Sequence, residues 1–86
     1  MNMVEELSDP NGRVAGLKQV LRCARLSMLE KVYIARDADE EIVVQLRDVC
    51  ERPGIPMDMT YTMHQIGSAC GLEVGSACAG VLRNGR

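Results

Sequence analysis

Residues 55–82 read IPMDMTYTMHQIGSACGLEVGSACAGVL. The alternation of apolar and polar side chains over 55–61 predicts a strand. Thr62 followed three residues later by Gln65 has the pattern of a capping box, which starts a helix at the next residue. Ile66, Ala69 and Cys70 share the inner face of that helix, and Gly71 suits the left-handed position just beyond its end. Leu72, Glu73, Val74 and Gly75 then form a loop, and 76–82 a last strand of small and apolar residues. The tetrad GSAC occurs twice here, at 67–70 and 75–78. The first copy ends a helix and the second opens a strand, and so short a period matches no solenoid unit. The shared need is for small side chains where backbones approach closely.

Upstream, the pattern continues. In GLKQVLRCARLSM (16–28) the apolar residues Leu17, Val20, Leu21, Ala24 and Met28 make one helical stripe. KVYIAR (31–36) is a short β-prone run, read as a buried strand. The next helix has both ends marked. Asp39 is its expected N-cap, Glu40 and Glu41 suit the positive end of the helix dipole, and Pro53 with Gly54 stops it. Ile42, Leu46, Val49 and Cys50 form its inner face. MVEEL (3–7) reads as a short helix closed by the turn residues SDPNG, RVAG (13–16) as a marginal strand, and RNGR (83–86) as a polar tail. The order of strand, helix, strand, helix, strand, helix, strand gives an α/β chain: one domain over 1–86, with helices on both faces of a small, largely buried sheet.

Composition narrows the chemistry. The chain has two Tyr, no Trp and no Phe, so its core must be aliphatic, with Met and Cys. Modules that stack bases on sheet aromatics are thereby disfavoured. The net charge of −2 counts against a nonspecific nucleic-acid binder, although phosphate responds to local charge rather than the total. No apolar run approaches the roughly 20 residues that span a bilayer, and the acidic N-terminal stretch lacks the order of a signal peptide. A cytoplasmic protein with no membrane association is expected.

Cys23, Cys50, Cys70 and Cys78 contain no close pair of the kind structural zinc sites use, and His64 stands alone. They read as buried packing residues, so no metal and no cofactor is expected. Asp37, Asp39, Glu40 and Glu41 cluster just before a helix, where capping accounts for them. No nucleophile elbow or phosphate-binding glycine loop is present, and no catalytic residue is assigned. More informative is the first strong helix. Lys18, Arg22 and Arg25 gather on one flank of its stripe, Arg13 lies just upstream, Gln19 sits beside Lys18, and Gly16 opens the helix. Three basic residues on a helix edge are commonly only a solvated face. Glutamine and arginine beside an open helix start, however, are suited to base edges and phosphates.

VAGLKQVLRCA (14–24), KVYIARDAD (31–39) and GIPMDMTYTMHQIGSACGLEVGSACAGVL (54–82) together resemble the kink-turn-binding ribosomal proteins of the L-seven-Ae and L-thirty-e superfamily. The resemblance spans roughly residues 13–82 and is greatest to the bacterial ribosomal-protein-like branch. It implies a three-layer α/β/α sandwich with a small mixed four-stranded sheet. The implied partner is structured RNA holding a kink-turn, a short bulge beside tandem sheared G·A pairs, with the ribosome as a candidate setting. A regular A-form major groove is too narrow for side chains, and the kink opens it.

By position, the resemblance makes Gly16, Lys18, Gln19 and Arg22 RNA-binding. Gln19 would read the guanine edges, Lys18 bases or phosphate, and Arg22 phosphate. It also lays Leu72, Glu73, Val74 and Gly75 against the bulged nucleotides. Lys18 and Gln19 stand where archaeal and eukaryotic members carry Asn-Glu, Arg22 where Lys is usual, and Pro53 where a polar residue is commoner. A monomer without catalysis is expected. A protein–protein adaptor on the same fold is the second reading, which an exposed apolar patch away from residues 16–22 would favour. A thiol enzyme is the third, which an exposed, low-pKa Cys70 or Cys78 would favour.

Overall fold

The structure, a computed structural model, describes residues 2–83. Asn84, Gly85 and Arg86, most of the expected polar tail, lie outside the described residues. The chain runs α1 (Met3–Ser8), β1 (Arg13–Ala15), α2 (Leu17–Arg25), β2 (Leu29–Ile34), α3 (Glu40–Glu51), β3 (Met57–Asp58), α4 (Met63–Ala69) and β4 (Cys78–Leu82). The sheet order is β1-β4-β2-β3. β4 pairs antiparallel with β1 and β2, and β2 pairs parallel with β3, so the four-stranded sheet is mixed.

Alternation along the two central strands divides the core. Leu29, Val32, Ile34, Cys78 and Leu82 face α2 and α3, packing with Val20, Cys23, Ala24, Leu46 and Cys50. Tyr33, Ala35, Ala79 and Val81 face the other way, onto Met3 and Leu7 of α1 and Ile66, Ala69 and Cys70 at α4. Two helices thus cover each face, the α/β/α arrangement expected. Every residue of β4 is buried, as befits a central strand covered on both sides. All four cysteines are buried and unpaired, three in the first cluster and one in the second, filling space as small apolar groups.

Helix ends follow the sequence closely. Asn2 and Thr62 close complete capping boxes with Glu5 and Gln65 at α1 and α4. Asp39 does hold the N-cap position of α3, but its side chain makes no capping hydrogen bond. Three helices close in the same way. The amide of Leu72 donates to Gly67 and that of Gly71 to Ser68; Ile55 and Gly54 do the same to Cys50 and Glu51; Met28 and Ser27 to Cys23 and Ala24. This double bond pattern needs a left-handed residue just past the helix. Gly71 and Gly54 supply it, and at α2 the residue is Ser27, with φ of 58°. The helix therefore stops at Arg25, and Met28, expected to continue the apolar stripe, is 39% exposed.

Strand limits differ more. β2 covers 29–34 instead of 31–36. It starts early because Leu29 already pairs with Leu82. It stops early because β4 begins at Cys78, opposite Ile34. β3 pairs over two residues rather than 55–61: Pro56 has no amide to donate, and Asp58 Oδ1 accepts from the Thr60 amide (2.9 Å) and turns the chain away. β4 loses the first two residues of its expected run to the preceding loop. α1, left out of the alternating order, packs as a full member of one layer. Its attachment is polar as well: the Tyr33 hydroxyl donates to Glu6, which also lies 3.6 Å from Lys31 Nζ. Among the described residues, no helix is long and apolar enough to cross a membrane.

Candidate nucleic-acid interface

Gly16 precedes α2 with φ of 90°, a conformation that disfavours any side chain, although a Cβ there would meet nothing within 4 Å. Glycine is needed for the backbone path and not for space. The helix it opens differs from the other three. α1 and α4 have capping boxes, and α3 has Glu40 and Glu41 in its first turn. α2 has neither a side-chain cap nor an acidic residue there. Its first amides and its positive dipole end are left open, and Lys18 adds a charge of the same sign. That combination favours an anion or an array of acceptors.

Lys18, Gln19 and Arg22 are all exposed. Arg22 Nη2 lies 3.5 Å from Gln19 Oε1, too long to hold either side chain firmly. The other two basic residues of this region do other things. Arg13 is partly buried. Its Nε donates to the carbonyl of Leu7 (2.9 Å) and its Nη2 to that of Cys70, so the guanidinium satisfies the C-terminal ends of α1 and α4 together. Arg25 sits in the last turn of α2, lining a cleft with Asp48 and Arg52.

The loop 72–75 presents apolar side chains to solvent, with Leu72 40% and Val74 71% exposed. Such exposure is consistent with a contact surface. Its path is fixed from below by α4. A Cβ on Gly67 would stand 2.2 Å from the Val74 carbonyl oxygen and 3.0 Å from Gly75 Cα, so the loop backbone rests on a glycine that nothing else could replace without a shift. Gly75 packs against Met63, the Ser76 amide donates to the Met63 carbonyl (3.0 Å), and the buried Ser76 Oγ donates to the Cys78 carbonyl (2.7 Å). The Leu72 amide is held by Gly67. The start of α4 is anchored in turn by Asp37, whose Oδ1 accepts from the Met63 amide (2.8 Å). The GSAC tetrads therefore supply a glycine seat at 67 and a tight exit at 75–78.

Two hydrogen bonds bring the segments together. The Gly16 amide donates to the Cys78 carbonyl (3.1 Å), and the Ala35 amide to the Ala77 carbonyl (2.8 Å). The exit of the loop is thus clasped between the start of α2 and the end of β2. All eight candidate residues lie on two segments joined at that point: Gly16, Lys18, Gln19 and Arg22 on one, Leu72, Glu73, Val74 and Gly75 on the other. Gly67, Asp37 and Arg13 support the arrangement and are not evident as such in the sequence. The glycine of the first tetrad was the available signal for Gly67. Nothing local distinguishes Arg13 from a surface arginine.

The features that a thiol enzyme would require are reversed. Cys70 and Cys78 are 3% and 0% exposed. Burial pushes both thiols up, Cys78 to about 12, with Cys50 and Cys70 beside it acting in the same direction. Neither is an activated nucleophile.

Comparison with known proteins gives a consistent result. An RNA-binding protein of Caldanaerobacter subterraneus subsp. tengcongensis is 40% identical over 70 residues, covering 81% of this chain and 85% of that one. The large ribosomal subunit protein eL8 of Haloquadratum walsbyi is 35% identical over 71 residues, 81% of this chain and 59% of its own. Among solved structures, a 15.5 kD RNA-binding protein of Giardia lamblia superposes with a TM-score of 0.83 at 28% identity, covering 93% of this chain and 68% of that one. A family model described as "Ribosomal protein L7Ae/L30e/S12e/Gadd45 family" matches residues 1–86. The chain belongs to the ribosomal protein L7Ae/L30e/S12e/Gadd45 family.

Proposed function

We propose that this protein binds kink-turn RNA, by inserting the open start of α2 against sheared G·A pairs and laying the loop 72–75 on the bulged nucleotides. Relatives named as RNA-binding and ribosomal proteins support the RNA partner. The observation that carries the finer reading is the clasp at Cys78. It sets a cap-free, acid-free helix start bearing Lys18, Gln19 and Arg22 beside an exposed apolar loop. Polar groups suited to base edges thus adjoin a surface suited to unstacked bases. Because the surface would fit the kinked RNA better than the extended one, binding would shift the RNA toward the kinked state. No catalytic step is needed. Cytoplasmic residence, association with the ribosome or another ribonucleoprotein, and action as a monomer belong to the same proposal.

The adaptor reading has less support. Large exposed apolar side chains outside the loop are dispersed over α1 (Val4), the turn after α2 (Leu26, Met28), α3 (Val44) and the segment after β3 (Met59). α1 and α3 lie on opposite faces of the sheet.

Two variants separate the roles at the helix start. Gln19→Ala should erode discrimination between a kink-turn and the same RNA with its G·A pairs replaced. Arg22→Ala should weaken both RNAs alike and reduce the slope of log affinity against log salt by about 0.7 to 0.9. Affinity and slope unchanged in both variants would place the site elsewhere.

A further inference from the structure

The clasp that joins the two segments has a second side. Ala77 and Cys78 are consecutive, and their carbonyls bond to opposite neighbours, Ala35 at the end of β2 and Gly16 at the start of α2. The loop 72–75 therefore emerges between two flanks. One flank carries Lys18, Gln19 and Arg22. The other is the turn 36–38, whose position is fixed by three bonds: Ala35 N–H to Ala77, Arg36 N–H to the Tyr61 carbonyl (2.9 Å), and Asp37 Oδ1 from the Met63 amide. Met63 is also the residue against which Gly75 packs.

Charge on this second flank is unfavourable to phosphate except at one point. Asp37, Asp39, Glu40 and Glu41 all lie there, and Glu73 is in the adjoining loop. Arg36 is the only Lys or Arg between Lys31 and Arg47. Lys31 is engaged with Glu6 and the Tyr33 ring, and Arg47 pairs with Glu51 on α3. Arg36 is exposed, and among the described residues its guanidinium makes neither an ion pair nor a side-chain hydrogen bond. Its backbone is held in place while its side chain is uncommitted, which leaves the guanidinium available to pair with a phosphate.

We infer that Arg36 is a further RNA-binding residue, contacting the phosphate backbone on the side of the loop opposite Lys18 and Arg22, so that RNA crossing residues 72–75 meets a cation on each flank. This rests on the kink-turn reading above. Without Arg36 the flank would present carboxylates alone and repel the strand.

The test uses the whole chain and a fluorescently labelled kink-turn RNA, titrated over a range of salt concentrations. Arg36→Ala should weaken binding about three- to tenfold and lower the salt slope by about 0.7 to 0.9. Arg36→Lys should restore most of the affinity, and Arg36→Glu should lose more than alanine does. Arg47→Ala removes the same net charge from α3 and should change little, and thermal unfolding of the Arg36 variants should match the parent. A parent that binds the kink-turn while Arg36→Ala keeps its affinity and slope overturns the inference and leaves the kink-turn reading standing. Equal losses in Arg36→Ala and Arg47→Ala would also overturn it, reducing the effect to net charge. A parent that does not favour the kink-turn overturns both.

Discussion

At the scale of single residues, two positions carry more than their size suggests. Gly67 sits under the loop with the Val74 oxygen where a Cβ would be. Gly67→Ala should cost about 1–3 kcal/mol by overpacking, and should weaken RNA binding by displacing the loop. Chemical denaturation and an RNA titration of the same variant would test both. Ser27 presents the opposite case. As the left-handed residue that closes α2, it bears a steric cost of about 1–2 kcal/mol, against an extra chain-entropy cost for glycine of about 0.4–1 kcal/mol. Ser27→Gly should therefore stabilise the fold by about 0.5–1 kcal/mol, read as a raised denaturation midpoint with an unchanged slope. Residues whose role is local were legible in the sequence: Thr62 and Gln65 cap, Gly71 closes, Gly16 opens. Arg13 was not, because its partners Leu7 and Cys70 are brought to it only by the packing of α1 beside α4.

At the scale of elements, helices were legible and strand ends were not, for one physical reason. A helix satisfies its own backbone, so its caps are written in neighbouring residues. A strand ends where its partner does. β2 stops opposite the first residue of β4, and the start of β4 is fixed by the glycine-seated loop; no residue within β2 encodes this. β3 shows the local exception, since Pro56 and Asp58 cut it short by themselves. The short α4 is the element on which the site depends most. It supports the loop, and its start is held by Thr62 and Asp37. Thr62→Ala should remove one capping partner at a cost of about 1 kcal/mol. It should loosen the loop before the rest, visible as faster amide exchange over 63–76 than in the sheet.

At the scale of the whole molecule, a core nearly free of aromatics is completed by cysteine, and this has a consequence for pH. The buried Cys78 thiol is pushed up to about 12, mainly by burial, from a reference of 9.0. A raised folded-state pKa contributes stability that is complete below the unfolded value and is lost as pH rises toward the folded one. Stability should therefore fall between about pH 9 and 12, by about 1.4 kcal/mol per pH unit from this group. The upward shifts of Cys50 and Cys70 add to the fall. Cys78→Ala, compared with the parent by denaturation across that range, should show a shallower alkaline decline; an unchanged decline would assign it to other groups.

The layer architecture was legible because alternation and capping agree along most of the chain. The convergence of residues 16–22 with 72–75 was implied by the family resemblance but by no local pattern, because it is made by the antiparallel pairing of β1 and β4 and the single bond from Gly16 to Cys78. That convergence is what the functional reading depends on. The measurement that addresses it most directly is a titration at physiological salt of a generic kink-turn RNA, against the same RNA with its G·A pairs replaced by Watson–Crick pairs. Tight binding to the first and weak binding to the second is the expected result. Equal or uniformly weak binding to both would contradict kink-turn recognition.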